Sequence, residues 1–380
     1  MAHVEKHRRT RPGKPDLITW RARYVDPAGR ERARTFPRRV DAERFIATVE
    51  ADKIRGVYLD PDAGRVTLTA FAEQWLAAQT FDESTREAVA SRLRVYVLPT
   101  FGPSELRAIR PSEVQAWLRG RQQSLAPSYV RVLLANLSAV LSAAVEDGLI
   151  TRNPCSTRAV RAPRAPQGRL VPWTVERVKT VTAALPDRYR TLPIVAAGCG
   201  LRQGEVFGLR VQDVDFLRRK LRVEQQVKIV GSRIVLGLPK GSKTREVPLP
   251  DVVAVALAEH LRQYPAGEDG LIFTSRQGKP LDRNYINSHI WKPALKRSGV
   301  EPTRDNGMHA LRHYFASVLL DAGESIKAVA EYLGHTDPGF TLRVYTHLLP
   351  ASEDRARRAV DAALGEAGTD PRRTRDAVER

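Results

Sequence analysis

The sequence predicts a multidomain α+β protein with three folded parts and a tail. Its 380 residues exceed the usual size of one domain. Apolar residues alternate near the N-terminus and then follow helical spacing over most of the chain, with proline- and charge-rich interruptions. The predicted parts are a small β-hairpin or sheet plus helix at 1–62, an all-α bundle at 66–160, a basic linker at 161–174, a mixed but mainly α domain with a small antiparallel sheet at 175–350, and a tail helix at 351–380.

The N-terminal part contains a predicted hairpin that is rich in arginine. From Ile18, the segment ITWRARYVDPAGRERARTF alternates apolar and basic positions on both sides of the turn signal Asp26-Pro27-Ala28-Gly29. A helix follows in RRVDAERFIATVEADKI, where apolar residues recur at helical spacing. The hairpin is predicted to carry four arginines on one face: Arg21, Arg23, Arg32 and Arg34. This face is interpreted as a DNA-contacting surface, and a solvated basic face is the alternative.

Residues 66–160 are predicted to be helical, and a basic linker follows them. The clearest helix lies in SYVRVLLANLSAVLSAAVEDG, where an apolar stripe predicts a core and Gly148 marks the end. The stretch RAVRAPRAPQGRLVPWT then has three prolines, four arginines and no acidic residue. Proline keeps such a linker extended, and three of its arginines are predicted to contact DNA phosphates: Arg161, Arg164 and Arg169.

The third part is predicted to begin with helices to about Gly200 and to end with helices to about Tyr332. Short strands lie between them, in KLRVEQQVKI, RIVLGLPKG and REVPLP. The turn signals Gly231-Ser232 and Gly241-Ser242 predict antiparallel pairing and place Lys240 at a hairpin turn. In the tail, five apolar residues recur at helical spacing: Ala356, Ala359, Val360, Ala363 and Leu364.

The overall charge predicts an acidic partner. The formal net charge is +19, and nucleic acid is the commonest polyanion in a cytoplasm. Membrane-surface binding is less favoured, because it would need a basic amphipathic helix whereas the basic residues are spread along the chain. No run of eighteen apolar residues and no apolar signal-peptide core occur, and Cys155 and Cys199 form no disulfide framework or metal pair. The sequence predicts a cytoplasmic, nucleic-acid-binding protein with no membrane partner.

Two short motifs bring charged side chains together. In HALRH, three side chains fall within one helical turn: His309, Arg312 and His313. The zinc-protease motif HExxH is excluded because Ala310 stands where its glutamate must be. In GCGLRQGEVF, Arg202 follows a glycine turn and Glu205 lies three residues later. This pair predicts either an arginine fork for a phosphate or carboxylate, or an ordinary helix-start salt bridge.

The order and spacing of these motifs resemble those of the tyrosine recombinase, or phage integrase, family. Five separated pieces recur over roughly residues 170–350: Arg202 with Glu205, Lys240 eight residues before Pro248, His309-x-x-Arg312, Leu333-Gly334-His335, and Tyr345. The segment from TLTAFAEQWL to GLITRNPC is similar to the family's helical, SAM-like core-binding domain. The N-terminal pattern around WRARY and DAERF resembles the arm-binding domain of integrases from temperate phages and integrative elements.

The resemblance implies that 175–350 is a catalytic domain with Tyr345 as its nucleophile. Five side chains would surround the attacked phosphate: Arg202, Lys240, His309, Arg312 and His335. His309 is expected to be the base and Lys240 the acid that protonates the departing 5′ oxygen, with Lys243 as an alternative. His335 would donate to a phosphate oxygen, and Glu205 would orient Arg202 or a neighbouring histidine. A phenol with a pKa of about 10 needs such a base and cationic surroundings. No metal ion or other cofactor is implied.

Tyr345 lies ten residues after His335, where many relatives have nine. The extra residue is expected in DPGF at 337–340. Tyr314 and Tyr332 are the competing tyrosines. Both are interpreted as packing residues, because Tyr314 lies within the HALRH helix and Tyr332 precedes LGH, where a packing residue is expected.

The implied function is site-specific integration or excision of a phage or integrative element through a 3′-phosphotyrosyl intermediate in a bacterial cytoplasm. The implied partners are double-stranded DNA with attachment sites and three further copies of the chain, since joining two duplexes requires four protomers. The tail helix would dock on a neighbouring copy or fold back on its own domain. The need for an excisionase and a DNA-bending host protein is left open. The alternatives are a monomeric topoisomerase and an inactive DNA-binding protein.

Overall fold

The computed structural model describes residues 2–11, 14–27, 29–55, 58, 63–164, 171–335 and 337–345, with the single positions 357, 360, 361 and 364. The chain divides into two compact units, Met1–Gln167 and Gly168–Arg380. The predicted α+β class is confirmed, because small antiparallel sheets occur among many helices. Arg169 and most of the predicted tail helix lie outside the described residues.

The first unit begins with a three-stranded antiparallel sheet followed by a helix. The elements are β1 (His3–Arg11), β2 (Lys14–Val25), β3 (Glu31–Phe36) and α1 (Arg39–Ile54), and the strands pair in the order β1-β2-β3. Tyr24 and Phe36 contact Phe45 of α1 through their rings, which joins the sheet to the helix. The predicted hairpin is β2 with β3. Strand β1 is not predicted, because HVEKHRRTR shows no apolar alternation.

The four arginines of the hairpin do not share one face, so that part of the prediction is wrong. Directly paired residues of neighbouring strands point to the same side of a sheet. The register pairs Arg32 with Tyr24, which is buried against α1, and Arg34 lies on the same side. Arg21 and Arg23 alternate with Tyr24 along β2 and therefore lie on the opposite face. The register set by the turn decides this, and a shift of one residue would exchange the faces.

The rest of the first unit is a helical bundle. Its helices are α2 (Leu68–Ala78), α3 (Glu83–Arg92), α4 (Leu98–Phe101), α5 (Pro111–Arg121) and α6 (Pro127–Glu146), with a π-helical stretch at Leu93–Val97. By length and composition α6 could cross a membrane. Its apolar stripe instead forms the core of the bundle, as predicted, through Val130, Leu133, Leu137, Val140, Leu141 and Ala144.

The second unit is mainly helical. Its elements are α7 (Val175–Ala183), α8 (Thr191–Cys199), α9 (Gln203–Phe207), β4 (Val214–Asp215), β5 (Lys220–Val223), β6 (Gln226–Val230), β7 (Arg233–Gly237), β8 (Arg245–Pro248), α10 (Asp251–Gln263), α11 (Arg283–Tyr285), a π-helical stretch at Ile286–Trp291, α12 (Lys292–Arg297), α13 (His309–Asp321), α14 (Ile326–Leu333) and α15 (Pro338–Tyr345). One core cluster includes buried residues from Trp173 to Tyr345, and these include residues of the recognised motif segments such as Leu201, Leu311, Leu333 and Tyr345.

The strands of the second unit form two small antiparallel sheets rather than one series of hairpins. Strands β6 and β7 pair with each other across Gly231-Ser232, as predicted. Strand β8 pairs with β5 instead of β7. The turn that contains Lys240 therefore connects two sheets, and its prediction as a hairpin turn is wrong. A turn signal marks a change of direction but does not specify which strand the next segment will pair with.

Candidate active site

Helix α8 ends at a glycine that turns the chain towards α9. Gly200 has φ 65°, a conformation that residues with a side chain rarely adopt. A Cβ at this position would also lie 2.3 Å from Phe315 Cδ1 of α13. The turn places Arg202 at the start of α9, where its backbone N–H donates to Glu205 Oε2 at 2.8 Å. Glycine here thus allows α8 and α13 to pack closely beside Arg202.

Glu205 is fully buried between two arginines. Its Oε1 accepts hydrogen bonds from Arg202 Nη1 at 2.8 Å and Arg245 Nη1 at 3.0 Å, and its Oε2 accepts one from Arg245 Nη2 at 2.7 Å. Burial alone would raise the pKa of this carboxyl, but the hydrogen bonds and charges of Arg245 and Arg202 lower it to about 2. Arg245 is thus part of the cluster, although the sequence motifs do not single it out.

Arg312 is fully buried and joins the ends of two helices. Its Nη1 donates to Gly200 O at 2.7 Å after α8, and its Nη2 donates to Leu333 O at the end of α14. Carbonyl groups at a helix C-terminus lack intrahelical partners and carry partial negative charge, so they suit a guanidinium. Burial and the charge of Arg202 lower the pKa of Arg312 to about 9, which leaves it charged at pH 7.

His335 follows the left-handed residue that ends α14. This residue, Gly334, has φ 62°, and its carbonyl accepts a hydrogen bond from Arg202 Nη2 at 3.3 Å. A Cβ on Gly334 would lie 3.1 Å from Arg245 Cδ. His335 Nδ1 is 2.7 Å from Oγ1 of Thr341, a buried residue of α15 that the sequence does not single out. Burial and the nearby arginines lower the pKa of His335 to about 4, so it is neutral at pH 7.

Tyr345 ends α15 and is only 2% exposed. Its Oη lies 2.6 Å from Nδ1 of His313, one residue after Arg312 on α13. His309 lies one turn earlier, with its ring edge-on to that of His313 at a centroid distance of 4.6 Å. Burial raises the pKa of Tyr345 to about 12, and the charge of Arg312 opposes this only in part. The hydroxyl partner seen here is thus His313, whereas the sequence predicts His309 as the base.

The structure brings five of the six predicted catalytic residues into one connected cluster: Arg202, His309, Arg312, His335 and Tyr345. Lys240 is exposed, in the turn between β7 and β8, and makes no hydrogen bond or ion pair with the described residues of this cluster. The competing tyrosines Tyr314 and Tyr332 pack against the hydrophobic core, as predicted.

The predicted DNA-contact arginines have different surroundings. In the N-terminal sheet, Arg23 Nε donates to Glu5 Oε1 at 2.8 Å and Arg32 Nε donates to Asp26 Oδ2 at 3.2 Å. Arg34 lies over two phenylalanine rings at 5.4 and 5.2 Å, so its guanidinium contributes to the contact between sheet and helix. Two of the predicted linker residues are exposed: Arg161 and Arg164.

Comparison with known sequences identifies a family. The phage integrase central domain matches residues 68–159, and the phage integrase family matches residues 174–352. A tyrosine recombinase XerC of Mesorhizobium japonicum is 30% identical over 260 residues, which cover 64% of this chain and 76% of the relative. The integrase of Mycobacterium phage D29 is 28% identical over 360 residues, which cover 90% of this chain and 94% of the relative.

Solved structures share the fold. The Tn1549 transposon integrase in complex with a circular intermediate DNA superposes with a TM-score of 0.68 at 20% identity, covering 78% of this chain and 99% of that one. The lambda integrase tetramer bound to a Holliday junction gives a TM-score of 0.59 at 20% identity, and the match covers 83% of this chain and 93% of that one. Because both family domains match and a relative that is 30% identical is covered over 76% of its length, the chain belongs to the phage integrase family of tyrosine recombinases.

Proposed function

We propose that this protein is a site-specific DNA recombinase in which Tyr345 attacks a DNA phosphate and forms a 3′-phosphotyrosyl bond. The observation that carries the proposal is the cluster around Tyr345, which combines a tyrosine hydroxyl with two anchored arginines and three histidines. A phosphate needs fixed positive donors on its nonbridging oxygens, and the attacking phenol needs a place for its proton.

The two arginines supply the fixed donors. Arg202 is held by Glu205 and Gly334, and Arg312 is held by Gly200 and Leu333. Each guanidinium has five N–H groups, so these anchoring bonds leave others for a phosphate. Because the anchors already fix their positions, little reorganisation is needed as negative charge develops. Loss of one such donor costs about 2.7 to 4 kcal/mol of transition-state stabilisation. His309 and His335 add hydrogen-bond donors in the same cluster.

Lys240 supplies the proton for the departing 5′ oxygen, with Lys243 as the alternative. Both lie near an exposed turn that includes Gly241, with φ 81°. The turn connects β7 and β8, which belong to different sheets, and Arg245 at the start of β8 is bonded to Glu205. DNA binding would close this turn over the phosphate. The lysine would then complete the site only when DNA is bound.

The phosphotyrosyl ester retains the energy of the broken strand, so a 5′ hydroxyl of another strand can be joined without ATP. Four copies of the chain on two duplexes would exchange strands in this way and integrate or excise a phage or integrative element in the bacterial cytoplasm. The arginines of the N-terminal sheet and of the linker would hold the DNA through its phosphates. The participation of an excisionase and a DNA-bending host protein stays open.

An apolar groove on the second unit suits the tail of a neighbouring copy. It has a volume of about 640 Å³, and its lining includes Val175, Val178, Ile194, Val318 and Leu319. In the tail, Val360 and Leu364 are 54% and 80% exposed, and they belong to the apolar stripe predicted there. The tail of one copy would dock in this groove and couple neighbouring active sites. Deletion of 351–380 should then abolish synapsis. If the tail instead folds back on its own domain, the deletion should leave synapsis unchanged.

Recombination of plasmids tests the function. A plasmid carrying the two DNA segments that flank the encoding element should yield recombinant products in magnesium-free buffer. A plasmid without these segments is the control, and the protein should leave it unchanged. Equal relaxation of both supercoiled plasmids without recombinants would indicate a topoisomerase, and DNA binding without any strand breakage would indicate an inactive binding protein.

A further inference from the structure

The contact between His313 and Tyr345 points to a different base from His309, the residue that the recognised motifs imply. We propose that His313 accepts the proton of Tyr345 as the phenol attacks DNA, and returns it when the strand is rejoined. This rests on the proposed role of Tyr345 as nucleophile. His313 Nδ1 is 2.6 Å from Tyr345 Oη, a distance at which a proton can pass directly.

The position of His313 is fixed by the same helix that anchors a phosphate-binding arginine. His313 follows Arg312 on α13, and Arg312 is bonded to carbonyl groups at the ends of α8 and α14. The ring of His309 packs edge-on against that of His313. His313 thus has little freedom to turn away from Tyr345, as a group that takes a proton in the transition state requires.

Burial and the surrounding charges keep His313 neutral until the substrate arrives. Burial, His309, Arg312 and His335 lower the pKa of His313 to about 4. With the pKa of Tyr345 at about 12, the proton stays on the phenol in the free protein. A bound phosphate is an anion next to this cationic cluster, so it raises the affinity of His313 for a proton. Proton transfer is therefore coupled to phosphate binding, which protects the free protein from a reactive phenolate.

The proton balance closes over both steps. In cleavage, Tyr345 Oη forms a bond to phosphorus, its proton moves to His313 Nδ1, and the bond from phosphorus to the 5′ oxygen breaks as that oxygen takes a proton from Lys240. In rejoining, a 5′ hydroxyl gives its proton back to Lys240 and attacks phosphorus, and Tyr345 leaves with the proton held by His313. His309 then serves the phosphate oxygens rather than the phenol.

The tautomer of His313 provides a test that needs no cleavage. Nδ1 can accept the phenol proton only if Nε2 carries the ring hydrogen. In full-length protein labelled with ¹⁵N-histidine, we expect the Nδ1 resonance of His313 to be that of an unprotonated nitrogen, and to shift in Tyr345→Phe. A protonated Nδ1 in the free protein would overturn the proposal.

The pH dependence of cleavage provides the second test. His313→Asn retains a polar group but cannot take up a proton, so at saturating DNA we expect cleavage about 10²- to 10⁴-fold slower near pH 7. The remaining reaction would use the free phenolate and should rise about tenfold per pH unit, whereas the wild-type rate changes little between about pH 7 and 9. A substrate with sulfur at the bridging 5′ position has a leaving group that needs no proton. This substrate should restore the cleavage rate of Lys240→Ala but not that of His313→Asn.

Matched variants separate this role from a structural one. His309→Asn should slow cleavage without making it depend on hydroxide, and His289→Asn, an exposed histidine outside the cluster, should match wild type. A wild-type rate for His313→Asn, or the same loss at every pH, would contradict the proposal. Failure of the wild-type protein to form any Tyr345 adduct would instead refute the proposed function.

Discussion

The positive charges of the second unit and those of the N-terminal sheet are held in different ways. Arg202, Arg245 and Arg312 are bonded to a buried carboxylate and to carbonyl groups at helix ends. Arg21 and Arg23 lie on the face of the sheet opposite α1. Arg21 and Arg23 are half-buried, whereas Lys240 is exposed.

Burial and the proposed roles of these cations are therefore separate properties, which substitution can distinguish. Removing a buried arginine leaves carboxylate or carbonyl groups without partners, so it costs stability as well as activity. Removing an exposed lysine or arginine leaves the fold intact and reveals only its role with DNA. Substitutions at both kinds of site test this contrast.

Lys240→Ala should have the largest effect on rate with no effect on stability. Loss of a general acid slows a reaction by about 10²- to 10⁴-fold, and Lys240 is exposed. Single-turnover cleavage and thermal unfolding of the same preparation measure the two quantities. Lys243→Ala is the matched control. A larger loss for Lys243→Ala than for Lys240→Ala would transfer the role to Lys243.

Arg312→Lys should lower both activity and stability. A lysine keeps the charge but cannot reproduce the planar fork that reaches Gly200 O and Leu333 O. We expect cleavage to slow by about 10²- to 10³-fold. We also expect the free energy of unfolding to fall by about 1 to 3 kcal/mol, as measured by urea denaturation. Unchanged stability would show that the two carbonyl contacts contribute little.

Glu205→Gln should change the pH dependence of stability. The pKa of Glu205 is about 2 in the folded protein and near 4.5 in the unfolded chain, so the carboxylate stabilises the fold above about pH 4.5. This contribution, about 3 kcal/mol, is lost as the pH falls from 4.5 towards 2. The variant should be less stable than wild type at pH 7 and should approach it at acid pH. Parallel stability curves for the two proteins would contradict this account.

Arg21→Ala and Arg23→Ala should have the smallest effects, and these should appear only in DNA binding. Each phosphate contact that is lost should reduce the slope of log affinity against log salt by about 0.9. Arg34→Ala is a useful comparison, because Arg34 stacks on Phe36 and Phe45. It should lower the stability of the N-terminal sheet more than it changes the salt slope. Equal salt slopes for wild type and all three variants would remove the sheet from the DNA interface.

The sequence predicts the parts of this molecule that depend on local pattern and motif order. The apolar stripe of α6, the β2–β3 hairpin and the packing of Tyr314 and Tyr332 are confirmed. Strand β1 is missed because it pairs through its backbone and its side chains are mostly polar. The partner of β8 is missed because strand pairing depends on tertiary structure rather than on the turn before it.

The side-chain contacts of the site could not be predicted for a similar reason. Arg245 is 40 residues from Glu205, and His313 is 32 residues from Tyr345. Tertiary packing brings these groups together, because Arg245 lies on β8 and Glu205 on α9, whereas His313 lies on α13 and Tyr345 on α15. HALRH places His313 on α13, but the sequence does not indicate that its ring meets Tyr345.

Covalent trapping on a nicked DNA substrate tests whether Tyr345 forms the bond to DNA. A nick near the cleavage site lets a short fragment diffuse away, so an enzyme that attacks through Tyr345 should remain attached to the 3′ phosphate. We predict that Tyr314→Phe and Tyr332→Phe form this adduct, that Tyr345→Phe does not, and that peptide mapping places the DNA on Tyr345. An adduct that persists in Tyr345→Phe, or that maps to another tyrosine, would contradict the account.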